Sequence, residues 1–318
     1  MFKVLITGAF GNVGRSAVSA CRYSGDDVTI LEFDSPRNRK TGRILAAQWE
    51  RSGPPPRIIY GDVRDSATVD VAVAGQDAVI HLAALIPPAA DAKPELARSI
   101  NVEGTRVLAE ACMAEAAGGG RPPRFVLASS IAAYGDRVAN PWIAVTDRLV
   151  ASPGDAYAAS KIEAEALVRG SGLPFCVLRL TYIVWRKKLR RDPLMFHMPL
   201  RTKIEVCHTE DTGRAFAAAA REDEALGRTF DIGGGESCRT TYREYLDSML
   251  KLFGLGGIAF LPEEAFATEG FHCGWYADSD DAERVLRFRR KTLADYYGEV
   301  AEEAFWLRLG AAFAGPII

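Results

Sequence analysis

Six short apolar runs, each separated from the next by a stretch of helical or loop character, constrain this chain more than any other feature. They are KVLIT (3–7), DVTILEF (27–33), PRIIYG (56–61), DAVIHLA (77–83), RFVLASS (124–130) and PFCVLRL (174–180). Runs that are apolar at nearly every position belong to strands covered on both faces. Helical patterns over 13–22, 42–51, 97–117 and 157–170 supply that cover, so the alternation predicts an α/β fold with a doubly wound parallel sheet. SGPPPR (52–57) and GGGRPP (118–123) read as loops within it. After 180 the alternation weakens, and RTFDIGGG (228–235) reads as one further strand. The expected division is a main domain over 1–180, to which 206–235 returns. A smaller, partly discontinuous C-terminal region over 181–205 and 236–318 completes the chain.

Composition narrows the partners. The 318 residues carry a net charge of −2, so no broad basic field exists to hold nucleic acid or an anionic membrane surface. Six scattered cysteines without a C-x-x-C pair, and four histidines, predict reduced, mostly buried thiols and no metal cluster. The chain opens on MFKVLITG with no leader pattern, and no apolar run reaches about 18 residues. A soluble cytoplasmic protein is expected.

TGAFGNVG (7–14) follows the first strand and opens the first helix, with Gly8, Gly11 and Gly14 spaced G-x-x-G-x-x-G. Glycines there permit a tight turn, and the main-chain N–H groups of the turn, with Phe10, Asn12 and Val13 among its residues, can approach a pyrophosphate. Dinucleotide binding is the expected role. The second strand ends in ILEFD, which places Glu32 and Asp34 where a carboxylate binds adenosine ribose hydroxyls. Glu32 is the first choice. A carboxylate repels a 2′-phosphate, so NAD is expected over NADP, although Arg37 and Arg39 nearby keep NADP open.

Further motifs follow in order: GDVRD (61–65), HLAA (81–84), NVEGT (101–105), LASSIAAYG (127–135), YAASK (157–161), HTEDTGRAF (208–216) and FDIGGGES (230–237). With the glycine turn they resemble the extended short-chain dehydrogenase/reductases, the family of NAD-dependent sugar-nucleotide epimerases and dehydratases, over most of the chain. The resemblance implies a Rossmann domain with Asp62 and Val63 against adenine. It also implies that Leu82, Ala83 and Ala84 lie under the cofactor, that Asn101 stands near it, and that Ser130, Tyr157 and Lys161 are the catalytic set. Tyr157 and Lys161, one helical turn apart, face the same way.

Hydride transfer from a carbinol needs a group to take the hydroxyl proton, and a free tyrosine titrates near about 10. The Lys161 ammonium and a positive nicotinamide ring are both expected to lower that value, making Tyr157 the acid/base. Ser130 would steady the substrate oxygen, and Lys161 would hold the nicotinamide ribose. Dehydratases of the family carry an Asp-Glu pair after the serine position; here Ile131 and Ala132 stand there, which argues against a 4,6-dehydratase.

The function expected first is a nucleoside-diphosphate-sugar epimerase. A dehydrogenase or reductase of a non-nucleotide carbohydrate or hydroxy compound is the alternative, because TYIVWR replaces the family's N-x-Y-G-P and the following segment is short. A non-catalytic NAD-sensing protein is the third reading. WRKKLRRDP (185–193), Arg201 and Lys203 are candidate diphosphate contacts or a solvated basic loop, and Arg239 is a candidate for facing the substrate pocket. Trp185, Trp275, Tyr276 and Tyr134 are read as pocket or core aromatics, His81 as a satisfied buried histidine, and Asp211 as a helix cap. Family members commonly pair through the helices that begin here near Asn101 and Tyr157, so a homodimer is expected.

Overall fold

A computed structural model describes residues 1–186 and 193–313. The main sheet is built from β1 (Lys3–Thr7), β2 (Asp27–Glu32), β3 (Arg57–Tyr60), β4 (Ala78–His81), β5 (Arg124–Ser130), β7 (Phe175–Leu180) and β10 (Arg228–Ile232). A two-residue strand β6 (Trp142–Ile143), and β8 (Tyr182–Val184) and β9 (Lys203–His208), lie outside it, as do β11 (Arg239–Thr241) and β12 (Trp275–Tyr276). Spatial order is β10-β7-β5-β4-β1-β2-β3, and every pair is parallel.

The side-chain alternation of strands divides the core in two. Val4 and Ile6 of β1, Val28 and Ile30 of β2, and Val126 and Ala128 of β5 face one layer. Leu5, Leu31, Phe125 and Leu127 face the other. The helices are α1 (Asn12–Tyr23), α2 (Pro36–Trp49), α3 (Ser66–Val73), α4 (Ala89–Ala92), α5 (Pro94–Arg98), α6 (Gly104–Ala117), α7 (Ala156–Gly170), α8 (Thr209–Ala219), α9 (Tyr242–Leu252), α10 (Ser279–Leu286) and α11 (Leu293–Phe313). Helices α1, α2, α8 and α10 cover the first face and α3, α6 and α7 the second. A third cluster joins Val184, Ile204, Val206, Tyr242, Leu246 and Val300 in the C-terminal region.

Helix α2 starts six residues before the expected 42: Ser35 caps it by accepting from the Asn38 N–H at 3.1 Å, with Pro36 at its first position. The segment expected as one helix over 97–117 begins at Pro94 and contains a wider π turn over Ser99–Glu103. Asp211 is not a cap. His208 caps α8 through Nδ1, which accepts from the Glu210 N–H, so its Nε2 carries the proton toward Glu299 at 3.1 Å. Asp211 is fully buried and accepts the N–H groups of Arg290 and Lys291, tying α8 to the segment before α11. All six cysteines are free and buried. Among the described residues no helix is long and apolar enough to cross a membrane, and no cluster of metal-ligating side chains occurs.

Candidate active site

In a doubly wound sheet the carboxyl ends of the strands flank a crevice where strand order reverses, here between β1 and β4. The glycine turn opens there. Gly8 has φ +67°, and a Cβ on it would meet the Ala83 nitrogen at 2.7 Å; on Gly14 a Cβ would meet the Ala9 Cα at 2.6 Å. Both positions therefore require glycine. Gly11 stands at the α1 N-cap with no side chain accepting from the first turn, so the N–H groups at the exposed Asn12 and half-buried Val13 remain available to an anion. An uncapped helix start behind a glycine turn fits a pyrophosphate.

Thr7 holds the opposite wall. Its Oγ1 accepts from the Leu82 N–H at 3.2 Å and the Ala83 N–H at 3.1 Å, which leaves its own proton for His81 Nδ1 at 2.7 Å. His81 Nε2 then donates to Thr105 Oγ1 at 3.0 Å, and Thr105 donates to the Asn101 carbonyl at 2.6 Å. Burial, and secondarily the Lys161 charge, push His81 down to about 3, so it is a neutral structural staple that fixes Leu82, Ala83 and Ala84.

Glu32 accepts from the Phe10 N–H at 3.0 Å and from Asn38 Nδ2 at 3.3 Å; burial holds its carboxyl above the usual range despite these bonds. Asp34 is turned away into a two-point ion pair with Arg39, at 2.6 and 2.7 Å. Asp62 is engaged by the Arg64 N–H and guanidinium, both at 2.9 Å to Oδ1, while Val63 is a core residue packed against Gly104. Asn101 is committed to bracing: Oδ1 accepts from the Leu85 N–H at 2.7 Å, and Nδ2 donates to the Leu85 carbonyl at 3.1 Å and Ser160 Oγ at 2.9 Å. Asn101 thereby forms a strut between the loop after β4 and α7.

Asp155 caps α7, accepting from the Ala158 N–H at 2.8 Å, and Tyr157 and Lys161 project from that helix. Ser130, at the end of β5, stands beside the Tyr157 phenol, where it acts to lower the phenol's pKa, and accepts from the Ala132 N–H at 3.2 Å. Lys161 is buried, donates to the Ala128 carbonyl at 2.8 Å, and stands 5.7 Å from the Tyr157 ring centre. Burial lowers its pKa to about 8, against the Glu165 charge that raises it.

Without the positive nicotinamide ring, burial pushes Tyr157 up to about 12, with Ser130 opposing and the Asp155 charge adding. The ammonium faces a carbonyl rather than the phenol oxygen, and desolvation wins.

Below the site lies a buried polar chain the sequence did not reveal. Ser129 donates to Glu165 at 2.5 Å; Arg179 forks onto both Glu165 oxygens at 2.9 and 2.8 Å and donates to the Tyr134 hydroxyl at 2.6 Å; Tyr134 donates to Asp231 at 2.8 Å. Tyr134 is thus a core residue. Arg239 is likewise structural, donating to the buried Glu205 at 2.8 Å and the Tyr276 carbonyl at 2.7 Å, over the Trp142 ring. Lys203 lies over the Trp275 ring at 5.1 Å, and Arg201 is exposed. Residues 187–192 of the basic segment lie outside the described residues.

A family model described as the NAD dependent epimerase/dehydratase family matches residues 4–233. A dTDP-glucose 4,6-dehydratase of Streptomyces niveus is 27% identical over 279 residues, covering 80% of this chain and 78% of its own. A D-erythronate dehydrogenase of Cupriavidus necator is 27% identical over 178 residues, 52% of this chain and 49% of its own. The fold is that of a UDP-glucose-4-epimerase from Stenotrophomonas maltophila solved with NAD, at TM-score 0.76, 20% identity and 98% and 100% coverage of the two chains.

Proposed function

Because the chain belongs to the NAD dependent epimerase/dehydratase family, as an NAD-dependent enzyme of the short-chain dehydrogenase/reductase type, we propose that it oxidises and re-reduces a carbinol carbon of a sugar nucleotide, as an epimerase. The observation that carries this reading is the placing of Ser130, Tyr157 and the buried Lys161 together: Ser130 bears on the Tyr157 phenol, and the Lys161 ammonium stands 5.7 Å from the Tyr157 ring while bonded to the Ala128 carbonyl. Bound NAD supplies the hydride acceptor and a positive ring. Gly8, Phe10, Gly11, Asn12, Val13 and Gly14 cradle its pyrophosphate, Glu32 takes the adenosine ribose, and Asp62 and Val63 border the adenine.

Tyr157 takes the proton from the substrate hydroxyl and returns it when the ketone is reduced. A phenol near 12 is a weak base at neutral pH, so it works once positive charge stands beside it; Lys161, at about 8, is mostly protonated at pH 7 and holds the nicotinamide ribose. Ser130 donates to the substrate oxygen as charge develops on it. Buried Ile131 and Ala132 carry no titratable group, which speaks against elimination of water beside the ketone. Substrate recognition belongs to 181–205 and 236–318. The exposed Met113, Ala159 and Ala166 on the adjacent helices α6 and α7 support pairing with a second copy.

The second reading, a dehydrogenase of a non-nucleotide hydroxy compound, is favoured by one observation. Arg239, a candidate for facing the substrate pocket, is bonded instead to Glu205 and the Tyr276 carbonyl, which leaves one guanidinium fewer for a diphosphate. The deciding experiment denatures the protein after gel filtration, identifies any released nucleotide, and incubates the native protein with UDP-glucose. Retained NAD with interconversion of the sugar supports the epimerase. Accumulating NADH on a simple sugar acid or polyol supports the dehydrogenase, and failure to bind NAD at all removes both.

A further inference from the structure

Two carboxylates follow one another at the end of β2, and the structure uses them differently. Glu32 points back to the glycine turn, through the Phe10 N–H at 3.0 Å. Asp34 points forward, and its two oxygens accept from Nε and Nη2 of Arg39 at 2.6 and 2.7 Å. That fork satisfies the bidentate geometry a guanidinium would otherwise offer to a phosphate.

The position of Arg39 is fixed from a second side. Its guanidinium carbon lies 4.9 Å from the centre of the Tyr60 ring, and Tyr60 is the register partner of Glu32 across β2 and β3. Gly42, three residues after Arg39, is buried because the Tyr60 hydroxyl occupies the place of a Cβ. Helix α2 is thereby drawn over β3, and Arg39 is held beside the carboxyl end of β2, within the region where an adenosine ribose would lie. Asn38 closes the turn by donating to Glu32 at 3.3 Å and to the Phe33 carbonyl at 2.9 Å.

We propose that Asp34 sets the choice of NAD over NADP by neutralising Arg39, and not by binding the ribose. Arg39 is a cation of the turn suited to a 2′-phosphate, and Asp34 occupies its Nε and Nη2 donors. Glu32 contributes repulsion at the ribose; Asp34 withholds the compensating cation. The proposal rests on the dinucleotide site described above. Both residues are about half exposed, so the pair is weak enough that removing one charge changes ligand preference without unfolding the chain.

Calorimetric titration of the full chain, stripped of nucleotide, with NAD and with NADP tests this on D34N, R39A and D34N/R39A. Asp34→Asn is expected to tighten NADP binding about tenfold while NAD binding stays within about twofold, and the gain is expected to vanish when Arg39→Ala is added. A tenfold loss of NAD affinity in D34N without a gain for NADP overturns the proposal, since Asp34 is then a ribose ligand. An NADP gain that persists in D34N/R39A also overturns it, as does no change in D34N. If the wild-type chain binds neither nucleotide, the dinucleotide site itself fails, an outcome distinct from these three.

Discussion

The buried ammonium of Lys161 donates to the main-chain carbonyl of Ala128 at 2.8 Å, pinning α7 by a charge to the strand that ends in Ser130. Burial lowers this lysine from 10.5 to about 8, so between those values the unfolded chain binds more protons than the folded one, and stability rises with pH across that window. The cost of keeping the charge buried at pH 7 is at most roughly 3 kcal/mol. Lys161→Met is therefore expected to unfold at higher urea than wild type at pH 7, with the gap narrowing by pH 9.5, and to lose activity. Equal midpoints at both pH values would contradict the buried-charge account.

Tyr157→Phe removes the proton-transfer group while leaving the ring in place. Turnover is expected to fall at least about a hundredfold, the usual scale for a lost acid/base, with an unchanged urea midpoint. A variant within a few-fold of wild-type kcat would take Tyr157 out of that role.

Glu32→Ala removes both the repulsion toward a 2′-phosphate and the acceptor for the Phe10 N–H. The ratio of NADP to NAD dissociation constants should drop by about tenfold, and NAD itself should bind more weakly because the turn loses its tie. Fluorescence titration with the reduced nucleotides measures both; an unchanged ratio would move ribose recognition elsewhere.

Arg179→Met removes the two-point partner of the buried Glu165, leaving it only Ser129 and Arg169, and takes the donor from Tyr134. Breaking a buried ion pair by removing one partner costs about 3–5 kcal/mol, so the urea midpoint should fall sharply, whereas Tyr134→Phe should cost about 1–3 kcal/mol, as expected for Asp231 losing its donor. A loss below about 1 kcal/mol in Arg179→Met would show that the chain of polar groups contributes little.

Gly213 lies where α8 crosses α1, and a Cβ there would meet the Ser16 Cβ at 2.6 Å. Gly213→Ala should destabilise the fold by about 1–3 kcal/mol through overpacking, read as a lower thermal midpoint. An unchanged midpoint would mean that the two helices separate freely.

Much of this molecule was legible because its signals are local. The six continuous apolar runs all became strands of one parallel sheet, and a seventh, over Arg228–Ile232, joined β7. The glycine turn was readable because Gly8 and Gly14 answer steric demands from the turn itself and from the adjacent loop. The start of α2 was missed since Arg37 to Lys40 are polar and show no apolar stripe, while the cap at Ser35 and Pro36 was the available signal. The pairing of Trp142 with Trp275 joins strands of two residues from the main domain and the C-terminal region, far apart in the sequence, and periodicity has nothing to count over two residues.

By itself the sequence determined the order of strands and helices, the glycine turn, and the candidate residues for proton and hydride chemistry, because these depend on neighbours a few positions apart. Only the tertiary structure decided which charge meets which. It turned Glu32 to the turn and Asp34 to Arg39, committed Asn101 and Arg239 to struts, made His208 the cap in place of Asp211, and buried Tyr157 so that its own surroundings raise its pKa. Burial and distance govern electrostatics, and both are set by contacts between residues that the chain alone keeps far apart.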